Sequence, residues 1–319
     1  MGRFGNANGF PASAGAQAIE VEIRVGGTRG QSPRNRSRAP SLATILFDIP
    51  VISVNTEIMK NELPILDPVT GQRWSVPRRP LRSVIADARE RWMLNVAISP
   101  AEAGRLVEAP FLEPQLLNGR AVLALCIIGM DRAAPDWAPL DHGPAVLACA
   151  VRVACRHRDS GEPAVWIATR CIDHVLGRAL PLLGFPDIAT GLRRLPGLEP
   201  GLAAPGILVA MRPGPAPRPT LFTDTRVFDS FIADGVRSYG RGPRPGTWST
   251  VDLLKDHPST FQLITDRAAN LVLAGRPWPV DGIYRCAGGR WQWEVLGLVD
   301  AHGHGLAGQL PPIAAGQAA

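Results

Sequence analysis

Short apolar runs separated by turn signals dominate the chain between residues 80 and 300. Residues 91–99, 121–130, 145–158 and 164–173 each have the length and apolar content of a buried strand. Further strand patterns are predicted at 206–212, 221–236, 261–275 and 291–299. Many short strands with Gly- and Pro-rich connections are typical of a largely antiparallel sheet, sandwich or barrel.

Two segments interrupt the strand pattern with helix signals. Ser99 is followed by Pro100 and by Glu102, which is the pattern of a capping box, so a short helix is predicted from residue 100. The spacing after residue 173 suits a second helix up to Leu180, which Pro181 ends.

Composition divides the 319 residues into three parts. Residues 1–42 are rich in small residues and arginine and are predicted to form a disordered arm. Residues 43–300 are predicted to form a single β domain, for which the overall apolar content of 45% provides a core. Residues 301–319 are predicted to form a flexible tail.

The positive charge is concentrated in the arm. Five arginines account for nearly all of the formal net charge of +6: Arg24, Arg29, Arg34, Arg36 and Arg38. The rest of the chain is therefore close to neutral, which argues against a nucleic-acid partner. No apolar run reaches 18 residues, so we expect no membrane partner.

The cysteines and the absence of a leader-like pattern predict a cytoplasmic protein. There are five cysteines, an odd number, without a CxxC pair, and most lie in apolar runs, which is typical of buried free thiols in a reducing compartment. The sequence has no Walker A, GxSxG or HExxH motif and no zinc-type cysteine spacing. We therefore expect no cofactor and no metal.

One long stretch resembles a known superfamily. Its pattern of strand, short helix, turn and apolar strand is carried by Pro100, Glu102, Leu112, Glu113, Pro114, Asn118, Gly119, Arg120 and Ala121. With the hairpin at 150–173 and the segment 259–271, it resembles the acetoacetate decarboxylase-like superfamily over residues 79–299. The resemblance implies a mainly β (α+β) fold in which a twisted antiparallel sheet forms a cone or open barrel around a small-molecule cavity. It also implies a possible homo-oligomer.

The resemblance fails at the residue that carries the best-known chemistry. That chemistry uses an imine on one lysine of a pair that follows a Gly-Phe-Pro tripeptide. Here Gly184–Pro186 is followed by Asp187 and Ile188, neither of which can form an imine. The sequence is therefore identified with a branch that lacks the Schiff-base lysine. The only lysines, Lys60 and Lys255, are expected to be solvated.

Six residues are candidates for a site. Arg152 and Arg267 can hold a carboxylate, and Trp278 can line an apolar wall. His174, Asp173 and His142 are candidates for proton transfer. Each also has a structural explanation, such as a strand-surface arginine for Arg152, a helix cap for Asp173 and a polar loop for His142.

Three functions remain open at this point. The first is a lysine-independent, lyase-like enzyme acting on a small keto or hydroxy acid or a cyclic intermediate. The second is a non-catalytic small-molecule-binding protein on the same fold. The third is a scaffold whose basic arm engages a partner. A proton-transfer group beside a carboxylate clamp in a cavity favours the first, and a purely apolar cavity favours the second.

Overall fold

The computed structural model describes residues 62–66, 71, 73–77, 81–183, 185–186, 188–196 and 200–306. The arm at 1–42 and Lys60 lie outside the described residues. Of the predicted flexible tail, residues 301–306 are described and form a turn closed by a bridge between Val299 and Gly305.

Within these residues the chain forms eighteen strands and two α-helices. In chain order the strands are β1 (Glu62–Leu66), β2 (Arg73–Pro77), β3 (Ser83–Ile98), β4 (Leu112–Pro114), β5 (Leu116–Leu117), β6 (Arg120–Pro135), β7 (Val146–His157), β8 (Pro163–Ile172), β9 (Ala189–Thr190), β10 (Arg193–Arg194), β11 (Gly201–Ala204), β12 (Ile207–Pro213), β13 (Arg237–Arg241), β14 (Trp248–Lys255), β15 (Gln262–Leu263), β16 (Arg267–Leu273), β17 (Arg276–Pro279) and β18 (Gly282–Val299). The helices are α1 (Pro100–Leu106) and α2 (Thr225–Asp234), with short 3-10 turns at Leu140–His142, Val175–Arg178 and Pro181–Leu183.

Seven of these strands close a barrel. Their order is β7-β6-β3-β18-β14-β13-β8, and β8 pairs back with β7 to complete the circle. All neighbours are antiparallel except β8 and β13, which are parallel. The predicted mainly β fold is confirmed, and pairing of β7 with β8 makes the barrel closed.

Strand alternation separates an outer core from an inner one. Because successive side chains point to opposite faces, Leu94, Leu123 and Val153 face outwards on β3, β6 and β7. They share one apolar cluster with Val209 and Leu271 of a second sheet, which has the order β10-β11-β12-β16-β17. The second sheet thus covers the outside of these three strands and leaves their inner faces to the barrel interior.

Helix α2 closes one end of the barrel. Phe228 stacks on Tyr284 with ring centroids 4.0 Å apart, and the Tyr284 hydroxyl donates to the carbonyl of Phe222 at 2.9 Å. The prediction of strand at 221–236 was wrong for this segment. Asp224 accepts a hydrogen bond from the amide of Arg226 as the helix cap, and the helical spacing places apolar residues of α2 on one buried face.

The two helix predictions had different outcomes. α1 is confirmed with its capping box, in which the amides of Ser99 and Glu102 bond each other's side chains. The second predicted helix is instead two 3-10 turns on either side of Leu180. Pro181 has no amide proton and disfavours helical backbone in the residue before it, so a continuous α-helix does not form.

A close approach of two long strands depends on Gly288. It has no register partner where β18 passes β3, and a Cβ atom there would lie 1.7 Å from the carbonyl oxygen of Ala88. Such a contact cannot be relieved by a side-chain rotation, because both partners are backbone. The glycine is therefore required for the β3–β18 pairing that holds the barrel together.

We predict that Gly288→Ala lowers the free energy of unfolding by about 3 kcal/mol. The matched control is Gly104→Ala in α1, where a Cβ atom meets nothing within 4 Å. Alanine favours the helix, so this variant should gain up to about 1 kcal/mol. Urea denaturation followed by circular dichroism measures both, and equal stability of the two variants would contradict the prediction.

Candidate functional site

The barrel interior contains a cavity of about 340 Å³. Pro139 and His142 of the segment after β6 line it and are exposed, so the cavity reaches the surface there. Its walls are largely apolar and include Ile128, Met130, Ile167, Leu253 and Trp293. A cavity of this size enclosed by apolar walls and a few polar groups is typical of a small-molecule site.

Three arginines line this cavity, and two of them, Arg91 and Arg152, come from the strands on either side of β6. Arg91 lies on β3 and Arg152 on β7, and both flank β6. Cys126 on β6 is opposite Met93 and Ala150, so each arginine is its diagonal neighbour, one on each side. Strand register therefore places two guanidinium groups and one thiol together on the inner face of the barrel.

Arg91 is held in place without a carboxylate. Its exposed fraction is 1%, and its Nε donates to the sulfur of Cys126 at 3.2 Å. Its guanidinium carbon lies 5.6 Å from the ring centroid of Phe261 and 5.9 Å from that of Trp291. Among the described residues, no Asp or Glu forms an ion pair with Arg91. A buried charge in this state is costly unless another group compensates it.

Arg152 shares this environment. Burial and the nearby charge of Arg91 lower the pKa of Arg152 to about 10, against a smaller opposing effect of Cys126. In the described part of the chain it too has no carboxylate partner. The two guanidinium groups therefore destabilise each other's charge, and a ligand carboxylate would relieve both.

A third cation lies close to this pair. Lys255 is the last residue of β14 and is half-buried, with its Nζ 5.9 Å from the centroid of the same Trp291 ring that Arg91 contacts. Burial, with the charges of Arg91 and Arg152, lowers the pKa of Lys255 to about 8. The expectation of an ordinary solvated lysine was wrong, because β14 carries this side chain into the barrel. Lys255 is not among the described residues that line the cavity.

The pKa of the Cys126 thiol is also lowered, which for a thiol favours the charged form. Burial alone would raise its pKa, but the charges of Arg91 and Arg152 and their hydrogen bonds outweigh burial and lower it. Cys286 lies opposite Arg91 on β18, and there burial prevails and raises the pKa. Of these two thiols, the arginines therefore favour the charged form of Cys126.

Three of the six predicted site residues line the cavity: Arg152, His142 and His174. His142 is exposed at the mouth. His174 is half-buried and its Nδ1 accepts a hydrogen bond from the amide of Leu176 at 3.2 Å. A ring nitrogen that accepts carries no proton, so in the neutral ring the proton is on Nε2.

The other three lie away from the cavity lining. The carboxylate of Asp173 accepts a hydrogen bond from the amide of Leu147 at 2.8 Å, and the cap of the following 3-10 turn is His174. Arg267 lies on β16, and Trp278 lies on β17 with the guanidinium carbon of Arg276 4.3 Å from its ring centroid. Both strands belong to the second sheet, outside the barrel.

The tripeptide that raised the question of the missing lysine reaches the cavity. Phe185 lines it and Pro186 is buried beside it, while Ile188 adds an apolar side chain to the wall. The guanidinium carbon of Arg170 lies 5.8 Å from the ring centroid of Phe185. Gly184 and Asp187 lie outside the described residues.

Sequence reasoning missed Arg91, Cys126 and the burial of Lys255. A signal for Arg91 was available, because Arg91, Met93 and Asn95 alternate along one buried strand and therefore point to the same face.

Asn95 is wholly buried, and its side-chain amide has no hydrogen-bond partner in the structure as described. It lines a second cavity of about 30 Å³ that Arg152 also borders.

Two further classes of site were searched for in the described residues. No group of three or more His, Cys, Asp or Glu side chains is arranged to hold a metal ion. Neither of the helices in this part of the chain has the length and apolar character needed to cross a bilayer.

Comparisons with known proteins give structural matches only. No family model matches the sequence, and no curated protein matches it. An acetoacetate decarboxylase-like enzyme from Sphingomonas wittichii is 16% identical, with 74% of this chain and 97% of that chain covered and a TM-score of 0.42. Acetoacetate decarboxylase from Legionella pneumophila is 13% identical, with 79% and 99% covered and the same TM-score.

The enduracididine biosynthesis enzyme MppR also matches, with 16% identity, coverage of 70% of this chain and 90% of that chain, and a TM-score of 0.42. Because identity and TM-score are both low, the function of this chain is inferred from its own side chains.

We predict that Lys255→Met raises the free energy of unfolding at pH 7, because it removes a charge placed beside two others. In the unfolded chain a lysine has a pKa near 10.5, and in the barrel about 8. The unfolded state therefore binds more protons between these values, so the native protein gains stability as the pH rises from about 8 to 10.5.

Thermal unfolding of the native protein and of Lys255→Met from pH 7 to 10.5 measures this effect as the difference between their stabilities. The stability advantage of Lys255→Met should shrink across that range. The control is Lys255→Arg, which stays charged throughout and should gain no stability at pH 7. An unchanging difference between the native protein and Lys255→Met would contradict the lowered pKa.

Proposed function

We propose that the barrel binds a small keto or hydroxy acid, that Arg91 and Arg152 hold its carboxylate, and that the protein acts on this acid without an imine-forming lysine. The observation that carries the proposal is the pair of guanidinium groups in an apolar cavity, without an Asp or Glu partner in the described chain.

Electrostatics favours a carboxylate over a neutral ligand. Two like charges in a poorly solvated interior raise each other's free energy, and an anion between them lowers both. Arginine has a planar fork of donors that matches the two oxygens of a carboxylate, so the pair provides direction as well as charge. An uncharged ligand would leave both guanidinium groups without a carboxylate partner.

The cavity limits the ligand to a small molecule. A volume of about 340 Å³ lies near the lower end of the range for ligand pockets. The walls away from the arginines are apolar, with Ile128, Leu253 and Trp293 among them, and suit the hydrocarbon part of a short acid. The cavity opens at the 133–144 segment, which gives the ligand a route in.

The proton-transfer groups of the proposed reaction are His174 and His142. Both line the cavity, and the hydrogen bond at Nδ1 of His174 leaves Nε2 as its proton donor in the neutral ring. Lys255 is outside the lining, and no lysine is among the described lining residues. The proposed chemistry is therefore lyase-like proton transfer on a bound acid.

A non-catalytic binding protein is the second candidate. The observation in its favour is that the described lining residues include no Asp or Glu, so acid–base chemistry depends on two histidines alone. Binding and turnover distinguish the two functions: a catalyst changes the bound acid, whereas a binding protein releases it unchanged.

We predict that pyruvate or acetoacetate binds to the native protein and that Arg152→Met weakens binding by about tenfold or more, because a charge-assisted hydrogen bond is lost. The matched control is Arg267→Met, which removes an arginine from the second sheet and should bind as the native protein does. Isothermal titration calorimetry measures affinity, and proton NMR of the same samples measures turnover. An equal loss of affinity in Arg152→Met and Arg267→Met, or no binding to the native protein, would contradict the proposal.

We predict that borohydride reduction in the presence of acetoacetate or pyruvate leaves the mass of the protein unchanged. An imine requires a lysine amine in contact with the ligand carbonyl, and Lys255 lies outside the cavity lining. Intact-mass measurement and peptide mapping provide the readout, with circular dichroism to show that the protein is folded. A stoichiometric adduct on Lys255 or Lys60 would overturn lysine independence but not carboxylate binding.

A further inference from the structure

Cys126, which lies between Arg91 and Arg152, carries a thiol that can act as a nucleophile. We propose that Cys126 is a nucleophilic thiolate, held by Arg91 and Arg152, which forms a covalent bond to an electrophilic carbon of an acid in the cavity. This inference rests on the proposed function, because it assigns a reactive group to the same carboxylate site.

Geometry is the first support for this assignment. Cys126 lines the cavity, is 2% exposed, and accepts a hydrogen bond from Nε of Arg91 at 3.2 Å. Arg152 flanks it from the other side on β7. Ligand that reaches the arginines from the cavity therefore also reaches this sulfur.

The second support is the charge of the two arginines. Neither has an Asp or Glu partner in the described chain, and the Cys126 sulfur accepts a hydrogen bond from Arg91, so a thiolate there compensates part of their charge. The other titratable groups that face this cluster are Lys255 on β14, which adds positive charge, and Cys286 on β18, whose pKa is raised.

The chemistry requires no redox partner. With a keto acid, a bond forms between the sulfur and the carbonyl carbon, the carbonyl π electrons move to the oxygen, and that oxygen takes a proton from solvent to give a thiohemiketal. With a haloacetate as a probe, the sulfur–carbon bond forms, the carbon–halogen bond breaks, and halide leaves. In both cases the arginines hold the carboxylate while the sulfur attacks.

The experiment compares alkylation by iodoacetate, which is an anion, with alkylation by neutral iodoacetamide. The full-length protein is treated at pH 7, and intact mass and peptide mapping give the rate at each cysteine, with free glutathione as the reference thiol. We expect Cys126 to be modified first, ahead of Cys155, whose pKa is raised to about 12 by burial. We expect its rate ratio of iodoacetate to iodoacetamide to exceed that of glutathione by about tenfold or more.

Variants connect this reactivity to the arginines. Cys126→Ser should abolish the fast modification, and Arg152→Met should reduce the iodoacetate preference, while Arg267→Met should change neither. Circular dichroism shows whether each variant is folded. If Arg152→Met does not fold, protection of the native protein by pyruvate provides the same information, since a carboxylate in the site blocks iodoacetate.

Failure of this inference is distinct from failure of the proposed function. If Cys126 reacts no faster than the other buried cysteines while pyruvate binds, the thiolate assignment is overturned and carboxylate binding stands. If Cys126 reacts rapidly with iodoacetamide but shows neither iodoacetate preference nor protection by pyruvate, the carboxylate site fails, and with it the covalent step on a bound acid.

Discussion

Two positive charges enclosed in an apolar barrel are the constraint on which the interpretation of this structure depends. Arg91 is almost fully buried and Arg152 lies beside it, and neither meets a carboxylate in the described chain. Proteins seldom leave charges in this state, because the free energy lost on leaving water is not recovered by neighbouring groups. Cys126 accepts a hydrogen bond from Arg91, and under the proposed function the carboxylate of a bound acid compensates the remaining charge.

The architecture places the charges where an anion can reach them. The β7–β8 pairing closes the barrel, the second sheet covers its outer face, and α2 blocks one end with aromatic rings. Among the described lining residues, Pro139 and His142 are exposed, so the cavity of about 340 Å³ reaches the surface after β6. In the proposed function, an acid enters there along apolar walls and meets the arginines away from bulk water, where the interaction between charges is strong.

The same pair of charges acts differently on the two kinds of nucleophile nearby. Positive neighbours favour the charged form of a thiol and the neutral form of an amine, so both Cys126 and Lys255 are shifted towards their reactive forms. Their positions separate them, since Cys126 lines the cavity and Lys255 does not. The environment of the two arginines therefore favours the reactive form of both nucleophiles, and of these two it is Cys126 that lines the cavity.

The sequence by itself determined the mainly β fold and the capped helix α1, because alternation and capping boxes are local signals. It did not determine α2, since the strand-like residues 221–236 are equally apolar at helical spacing and only packing against Tyr284 and Phe222 decides between them. Arg91, Cys126 and Lys255 were decided by tertiary structure alone. They are 35 or more residues apart in sequence, and only the order and register of the barrel strands bring them to one place.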